Sequence, residues 1–183
     1  TVHNIEGIVC FGFAGASPKL MHLCCERGVA ISFLSQYGKF MGRITGNVSG
    51  NVLLRRTQYR WSDDEGVSTR LSRRFIAAKI MNSRAVLHRV LRDHGDVVDS
   101  QSLERAIQLL AGMPGRLENA HNGDSVRGIE GDAAHLYFSN FNQLVLNQKE
   151  EFRMLGRNRR PPTDRINALL SFLYTLLTHE VVA

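Results

Sequence analysis

Cysteine is scarce in this sequence, and its scarcity bears on the environment in which the chain works. There are three cysteines in 183 residues, and two of them, Cys24 and Cys25, are adjacent. Three thiols arranged in this way do not form the disulfide framework of a small secreted domain, so a reducing, cytoplasmic setting is expected. The sequence also lacks a basic segment followed by an apolar stretch and a cleavage site, so secretion finds no support.

Long hydrophobic runs are missing as well. The most apolar stretch covers residues 166–177, which is too short to span a bilayer. Along it, Asn167, Ser171, Thr175 and Thr178 recur at i, i+4, i+8 and i+11 and form a polar stripe. This pattern predicts a helix buried in a bundle, with its polar side facing a site or a neighbouring helix, and no membrane association.

Lysine is rare, and 19 arginines against four lysines supply the positive charge. Residues 51–92 carry ten basic and three acidic side chains, residues 93–152 carry four basic and ten acidic, and residues 153–165 carry five basic and one acidic. The net charge of +6 therefore conceals two arginine-rich segments around an acidic one. Guanidinium groups suit forked contacts with phosphate, which points to a polyanion. Solvated helix faces and internal ion pairs are the alternative.

A small α/β unit precedes a run of helices. Strands are predicted over 4–11, 29–34 and 40–44, with a helix from Ser17-Pro18 to Gly28 between the first two. From residue 51 the apolar period is helical, and it predicts helices over 51–61, 68–94, 100–111, 127–149 and 164–180. The fold class is therefore α+β, with a β-rich domain in 1–46, a hinge at 47–51 and an all-helical domain in 52–183.

Glu130 is the acidic residue that stands out. It is predicted at a helix start, between two glycines and close to Ala133 and Ala134, so a hydrated divalent ion or a phosphate has room to approach. The alternative is a carboxylate that merely favours the positive end of a helix dipole. By helical spacing, Asp132 and His135 point away from Glu130.

Two basic segments accompany Glu130. Arg157, Arg159 and Arg160 precede a double proline that leads into the last helix, and a stiff loop holds arginines with little entropy to lose on binding phosphate. A proline that simply ends one element and starts the next is the alternative. On the long helix, the segment at 78–87 offers polar groups, for which hydrogen bonding between helices is the alternative.

Three motifs follow one another along the chain. They are Lys-x-x-Asn-x-Arg at 79–84, Gly-x-Glu-Gly-x-Ala-Ala-x-x-Tyr-Phe at 128–138 and Arg-Arg-Pro-Pro-x-Asp-x-x-Asn-Ala-Leu-Leu-Ser-Phe-x-Tyr at 159–174. A Gly-Asn-Val-Ser-Gly-Asn segment at 46–51 precedes them. In this order they resemble the CRISPR-associated spacer-acquisition endonuclease/integrase family, the first-numbered of the Cas proteins, most closely its type I-C (Dvulg) form. The resemblance covers essentially the whole chain.

The resemblance implies an architecture and partners. Members of the family are homodimers with an N-terminal β-domain and a C-terminal all-helical domain, and two dimers flank a dimer of the second-numbered Cas protein. They insert short double-stranded DNA segments, the protospacers, into the CRISPR repeat array, an antiviral function carried out in the prokaryotic cytoplasm. The family's N-terminal module begins before Thr1, so this chain is expected to be the middle portion of such a protein.

The resemblance also implies a metal centre. In the family one Mg²⁺ or Mn²⁺ is held by a glutamate, a histidine and an aspartate, and Glu130 matches the glutamate. The family's histidine and aspartate lie beyond Ala183, and His179 does not match that histidine. The chain is therefore expected to be an inactive fragment of a metal-dependent DNA endonuclease/integrase. A non-catalytic helical DNA-binding or scaffold protein is the alternative.

The candidate residues fall into three groups. Glu130 is the candidate for catalysis and for metal binding. The candidates for DNA binding are Arg70, Arg74, Arg84, Arg157, Arg159 and Arg160. The candidates for supporting contacts around the site are Lys79, Asn82, Tyr137 and Asn167.

Overall fold

The computed structural model describes residues 4–47 and 50–182. They form two compact units, which are described separately below. The first contains the described parts of residues 1–50, 159–163 and 167–183, and the second contains residues 51–158 and 164–166. A small sheet near the N-terminus followed by a mostly helical chain confirms the α+β class.

The first unit is built on a three-stranded sheet. Its elements are β1 (Gly7–Phe11), α1 (Pro18–Arg27), β2 (Ala30–Leu34) and β3 (Phe40–Ile44). The strand order is β1-β2-β3, with β1 parallel and β3 antiparallel to β2. Since parallel neighbours need a crossover, α1 makes the connection from β1 to β2.

Local sequence signals set the limits of α1. The hydroxyl of Ser17 accepts a hydrogen bond from the Leu20 N–H (3.3 Å), and Pro18 is the first helical residue. Gly28 ends the helix in the left-handed conformation (φ 70°), which glycine adopts without a steric penalty. Cys24 is fully buried against the sheet as a free thiol. The predicted start and end of this helix are confirmed.

The second unit is mostly helical. Its helices are α2 (Val52–Asp63), α3 (Glu65–His94), α4 (Ser100–Glu118), α5 (Gly123–Ser139) and a short 3₁₀ helix (Phe141–Leu144). The last helix, α6 (Arg165–Val182), begins in this unit and continues in the first. One core joins α3, α4 and α5, and its buried members include Ile80, Leu87, Leu103, Leu110, Val126 and Ile129. None of the residues of α2 is buried.

α5, which carries Glu130, differs from its predicted limits. It begins at Gly123, because the side chain of Asn122 caps it by accepting a hydrogen bond from a backbone N–H. It ends at Ser139, where the chain passes into the 3₁₀ helix. The prediction of a helix over 127–149 that starts beside Glu130 is therefore wrong, and Glu130 lies in the helix interior, where the dipole alternative does not apply.

α4 is longer than the sequence predicts. The expected end at residue 111 is wrong, because the helix continues through Pro114 to Glu118. Met113 and Leu117 are buried and continue the apolar side of the helix into the core. Their burial outweighs the unfavourable proline, so tertiary packing decides where the helix ends.

The last helix also departs from expectation. The sequence assigns all of 52–183 to one helical domain, whereas residues 167–182 of α6 group with the first unit, where Phe172 contacts the ring of Phe11 (5.9 Å between centroids). The prediction of burial in a bundle is wrong for the described residues, because Leu173 and Leu177 are exposed. Part of the predicted hinge at 47–51, residues 48 and 49, lies outside the described residues.

Among the described helices, none has both the length and the hydropathy required to cross a bilayer. Within the part of α6 that groups with the first unit, Asn167 is fully buried.

The core of α3, α4 and α5 generates a stability prediction. Leu110 is fully buried and its neighbour Leu109 is 51% exposed. We expect Leu110→Ala to lower the free energy of unfolding by about 2–5 kcal/mol and Leu109→Ala by less than about 1 kcal/mol, since only the first creates a cavity. Urea unfolding of both variants checks this, and equal losses would contradict the position assigned to the core.

Candidate functional site

Glu130 lies at the rim of the helical core. Its neighbours on α5, Val126, Ile129 and Ala133, are buried against α3 and α4. The side chain of Glu130 is 29% exposed, so its carboxylate is held at the boundary between core and solvent. The packing of the apolar side of α5 therefore positions the carboxylate of Glu130.

Lys79 on α3 faces Glu130. Its Nζ donates a hydrogen bond to Oε1 of Glu130, and the lysine side chain is 53% exposed. Half-exposed ion pairs of this kind contribute at most about 1 kcal/mol to stability. The structure thus brings together Lys79 and Glu130, two of the candidate residues, in a contact that contributes little to the stability of the fold.

The surface beside Glu130 is open. Gly128 and Gly131 are exposed, and a Cβ atom added at either position would meet no atom within 4 Å, leaving aside the nearby helix backbone. A glycine inside a helix costs about 1 kcal/mol relative to alanine. No neighbour requires glycine at these positions, and Gly131, which is adjacent to Glu130 in the sequence, leaves the surface next to it uncovered.

An aromatic cluster follows Glu130 along α5. Tyr137 lies two turns further on nearly the same face and packs edge-on against Phe138 (5.3 Å) and Phe141 (5.9 Å). Phe138 and Phe141 stack on each other (5.9 Å). Tyr137 is therefore a half-buried residue of this aromatic cluster, and it follows Glu130 by seven residues in the sequence.

Two residues near Glu130 in sequence serve elsewhere. The carboxylate of Asp132 accepts a hydrogen bond from Arg116 of α4 (2.7 Å), and His135 is exposed. Asp132 is thus paired with α4, whereas Glu130 is paired with Lys79 of α3. Asn82 is exposed on α3, whereas Asn167 is fully buried in the first unit.

The arginines selected on α3 have different environments. Arg70 and Arg74 are exposed. Arg84 is half-buried, and its buried Nε has no hydrogen-bond partner within the described part of the chain. Arg73, between the first two, donates to the carbonyl of Ala120 and so fastens α3 to the end of α4.

Three arginines were missed by the selection from sequence. They lie on α2, which has no buried residue, and all are exposed: Arg55, Arg56 and Arg60. These three arginines are among the ten basic residues counted in 51–92, but the sequence did not reveal that α2 is exposed.

The arginines of the proline loop belong to two units. In the second unit, the guanidinium of Arg157 lies over the ring of Phe138 (6.0 Å). In the first unit, the guanidinium of Arg159 lies over the ring of Tyr174 (5.8 Å), and Arg160 is exposed. Aromatic rings thus hold two of these three cations.

A complete metal centre is not present among the described residues. No group of three or more histidine, cysteine, aspartate or glutamate side chains in that part of the chain is placed to hold an ion. Glu130 supplies one carboxylate, and that carboxylate is engaged by Lys79. One carboxylate binds Mg²⁺ weakly, since the ion retains water and needs further oxygen ligands.

Comparison with known proteins identifies the family. The family described as "CRISPR associated protein Cas1" matches residues 1–183. This chain belongs to the Cas1 family. It is 46% identical over 180 residues to "CRISPR-associated endonuclease Cas1 1" of Chlorobaculum tepidum, covering 98% of this chain and 52% of the relative. It is 43% identical over 183 residues to "CRISPR-associated endonuclease Cas1 2" of Rhodospirillum rubrum, with 98% and 52% covered.

The chain spans about half the length of the curated Cas1 relatives it matches. Among solved structures, a Cas1 protein from Thermotoga maritima is 25% identical with a TM-score of 0.72, over 99% of this chain and 54% of that one. A casposase bound to an integration product shares the fold at 23% identity, with a TM-score of 0.76 over 95% and 47% of the two chains.

The open surface beside Glu130 generates a prediction about stability. We expect Gly131→Ala to raise the free energy of unfolding by about 0.5–1 kcal/mol, because alanine favours the helix and the added methyl meets no neighbour. Gly112→Ala in α4, where a Cβ also meets nothing within 4 Å, is the matched control. Thermal unfolding measures both, and a loss of stability at position 131 alone would show that the site is crowded.

Proposed function

We propose that this chain carries the DNA-processing carboxylate of a metal-dependent endonuclease/integrase that inserts spacer DNA into the CRISPR array. The observation that carries the proposal is Glu130, which lies at the open rim of α5 beside Lys79 in a chain of the Cas1 family. The similar proteins of Chlorobaculum tepidum and Rhodospirillum rubrum are named endonucleases, which supports the same reaction class here.

The chemistry is an in-line attack at a DNA phosphorus. The nucleophile is a DNA 3′-hydroxyl in integration and water in hydrolysis, and the bond to the leaving oxygen breaks on the opposite side. The ammonium of Lys79 can exchange its contact with Glu130 for one with a phosphate oxygen, because the pair is half exposed and weak. Exposed arginines of α2 and α3 would hold the flanking phosphates.

The resemblance adds Mg²⁺ or Mn²⁺ as the cofactor, with Glu130 as one ligand. The described residues do not complete such a site, so the further ligands are not assigned to this part of the chain. For the same reason we expect residues 1–183 alone to have negligible nuclease activity.

The proposed partners follow from the family. They are double-stranded DNA, as protospacer and CRISPR repeat, a second copy of the chain, and the second-numbered Cas protein. The fold is shared with Cas1 in a solved Cas6-RT-Cas1–Cas2 complex at a TM-score of 0.69 and 22% identity. Membership of the type I-C form and a prokaryotic cytoplasmic location are part of the same proposal.

A second candidate function is a non-catalytic DNA-binding or scaffold protein. The observation that favours it is the engagement of the single carboxylate of Glu130 by Lys79, which leaves no group of metal ligands in the described residues. In this case the basic helices would serve binding alone.

Substitution of Glu130 tests the catalytic proposal. In the complete protein that contains this chain, we expect Glu130→Ala to reduce Mn²⁺-dependent DNA cleavage and array insertion at least about 100-fold, because the reaction loses the carboxylate at its centre. The measurement is a cleavage and integration assay with labelled DNA.

Asp132→Ala is the matched control, since Asp132 is an exposed carboxylate of the same helix that pairs with Arg116. It should retain near-normal activity. If Glu130→Ala remained active while folding normally, the assignment of the reaction centre to Glu130 would be wrong.

Binding of DNA separates the two DNA-related functions from a protein scaffold. We expect the chain to retain duplex DNA in a gel shift at low salt and to lose it as salt rises, with little dependence on sequence, because arginine–phosphate contacts dominate. Replacing Arg70 and Arg74 together by glutamine should weaken retention. Absence of binding at low salt would favour the scaffold.

A further inference from the structure

Asn142 makes a paired contact that nothing in the motifs explains. It lies in the 3₁₀ helix that follows α5. Its Nδ2 donates to the carbonyl of Met154 (2.9 Å), and its Oδ1 accepts from the N–H of the same residue (2.8 Å). One amide side chain thus satisfies both backbone groups of a residue 12 positions away, in the manner of a strand neighbour.

The segment that receives this contact has no regular structure. Residues 145–164 form no helix or strand, so their backbone groups need partners outside a hydrogen-bond ladder. The side chain of Met154 is buried, and Arg165 pairs with Glu151 and lies over the ring of Phe152 (5.8 Å). The side chain of Asn142 is therefore one of the contacts that fix the course of this segment within the second unit.

Arg157 follows three residues after Met154. Its guanidinium lies over Phe138 and donates from Nη1 to the Asn158 carbonyl (2.6 Å). Phe138 is eight residues beyond Glu130 on α5, which places the two positions about 12 Å apart along the helix axis.

We propose that Asn142 is a positioning residue for DNA binding: its paired hydrogen bonds to Met154 hold Arg157 above Phe138, at a set distance along α5 from Glu130. This inference rests on the proposed function, because it assumes that the ligand is DNA. The physical reason is preorganisation. An arginine on a free 20-residue loop would lose much conformational entropy on binding a phosphate, and the clamp removes that loss beforehand.

A double-mutant cycle on duplex DNA tests the role of Asn142. The variants are Asn142→Ala, Arg157→Ala and the two together, with Asn147→Ala as a matched control, since Asn147 is exposed in the same segment and makes none of these contacts. Affinity is measured by fluorescence anisotropy at several salt concentrations, below the unfolding transition of every variant. Faster amide exchange of residues 152–158 in Asn142→Ala checks that the clamp has been removed.

We expect Arg157→Ala to reduce the slope of log K against log salt by about 0.9, the value for one phosphate contact. Asn142→Ala should reduce the slope and the affinity to a similar extent, and the double variant should bind no more weakly than Arg157→Ala alone. Asn147→Ala should bind like the unaltered chain. A residue with only a structural role would lower the unfolding temperature without changing the salt slope.

The outcomes separate the inference from the proposed function. If the unaltered chain binds DNA and Asn142→Ala binds it with the same slope, the positioning role is overturned and the proposed function stands. Additive losses in the double variant overturn it as well, because Asn142 would then act independently of Arg157. If the unaltered chain binds no DNA at low salt, both are overturned.

Discussion

The helical unit depends on one packing arrangement, the burial of the apolar side of α5 against α3 and α4. Val126 and Ile129 join a core whose centre is formed by residues such as Leu87 and Leu110. Burial of side chains of this size contributes about 1.5–3 kcal/mol each, far more than any ion pair on the surface. Since Glu130 is adjacent to Ile129, this packing also dictates that the carboxylate lies at the rim of the core.

The contact between Lys79 and Glu130 follows from the same arrangement. α3 and α5 are held together by the core, so a lysine and a glutamate on their facing edges meet without a stabilising role of their own. Exposed glycines beside the carboxylate have a cost in helix stability that no packing neighbour requires. A helix selected only for stability would carry alanine there, and the exposed glycines are compatible with the role proposed for Glu130.

The sequence predicted the elements whose signals are local. Ser17-Pro18 and Gly28 delimit α1, as the sequence predicts. The start of α5 was missed, because Asn122 stands before a glycine that breaks the expected apolar pattern. Contacts between residues distant in sequence could not be predicted either. The hydrogen bonds between Asn142 and Met154 join the 3₁₀ helix to a segment without regular structure, and such a contact leaves no periodic pattern in the sequence.

Charge pairing explains why the sequence left two readings of the arginines open. In the acidic region and beyond it, arginines are paired internally, as Arg116 is with Asp132 and Arg165 with Glu151. Five arginines of α2 and the first turns of α3 are exposed and make no ion pair with another described residue: Arg55, Arg56, Arg60, Arg70 and Arg74. The internal-pair reading therefore holds for Arg116, Arg127 and Arg165 of the second unit. The N-terminal arginines are therefore the exposed cations on which the proposal of salt-dependent DNA binding rests.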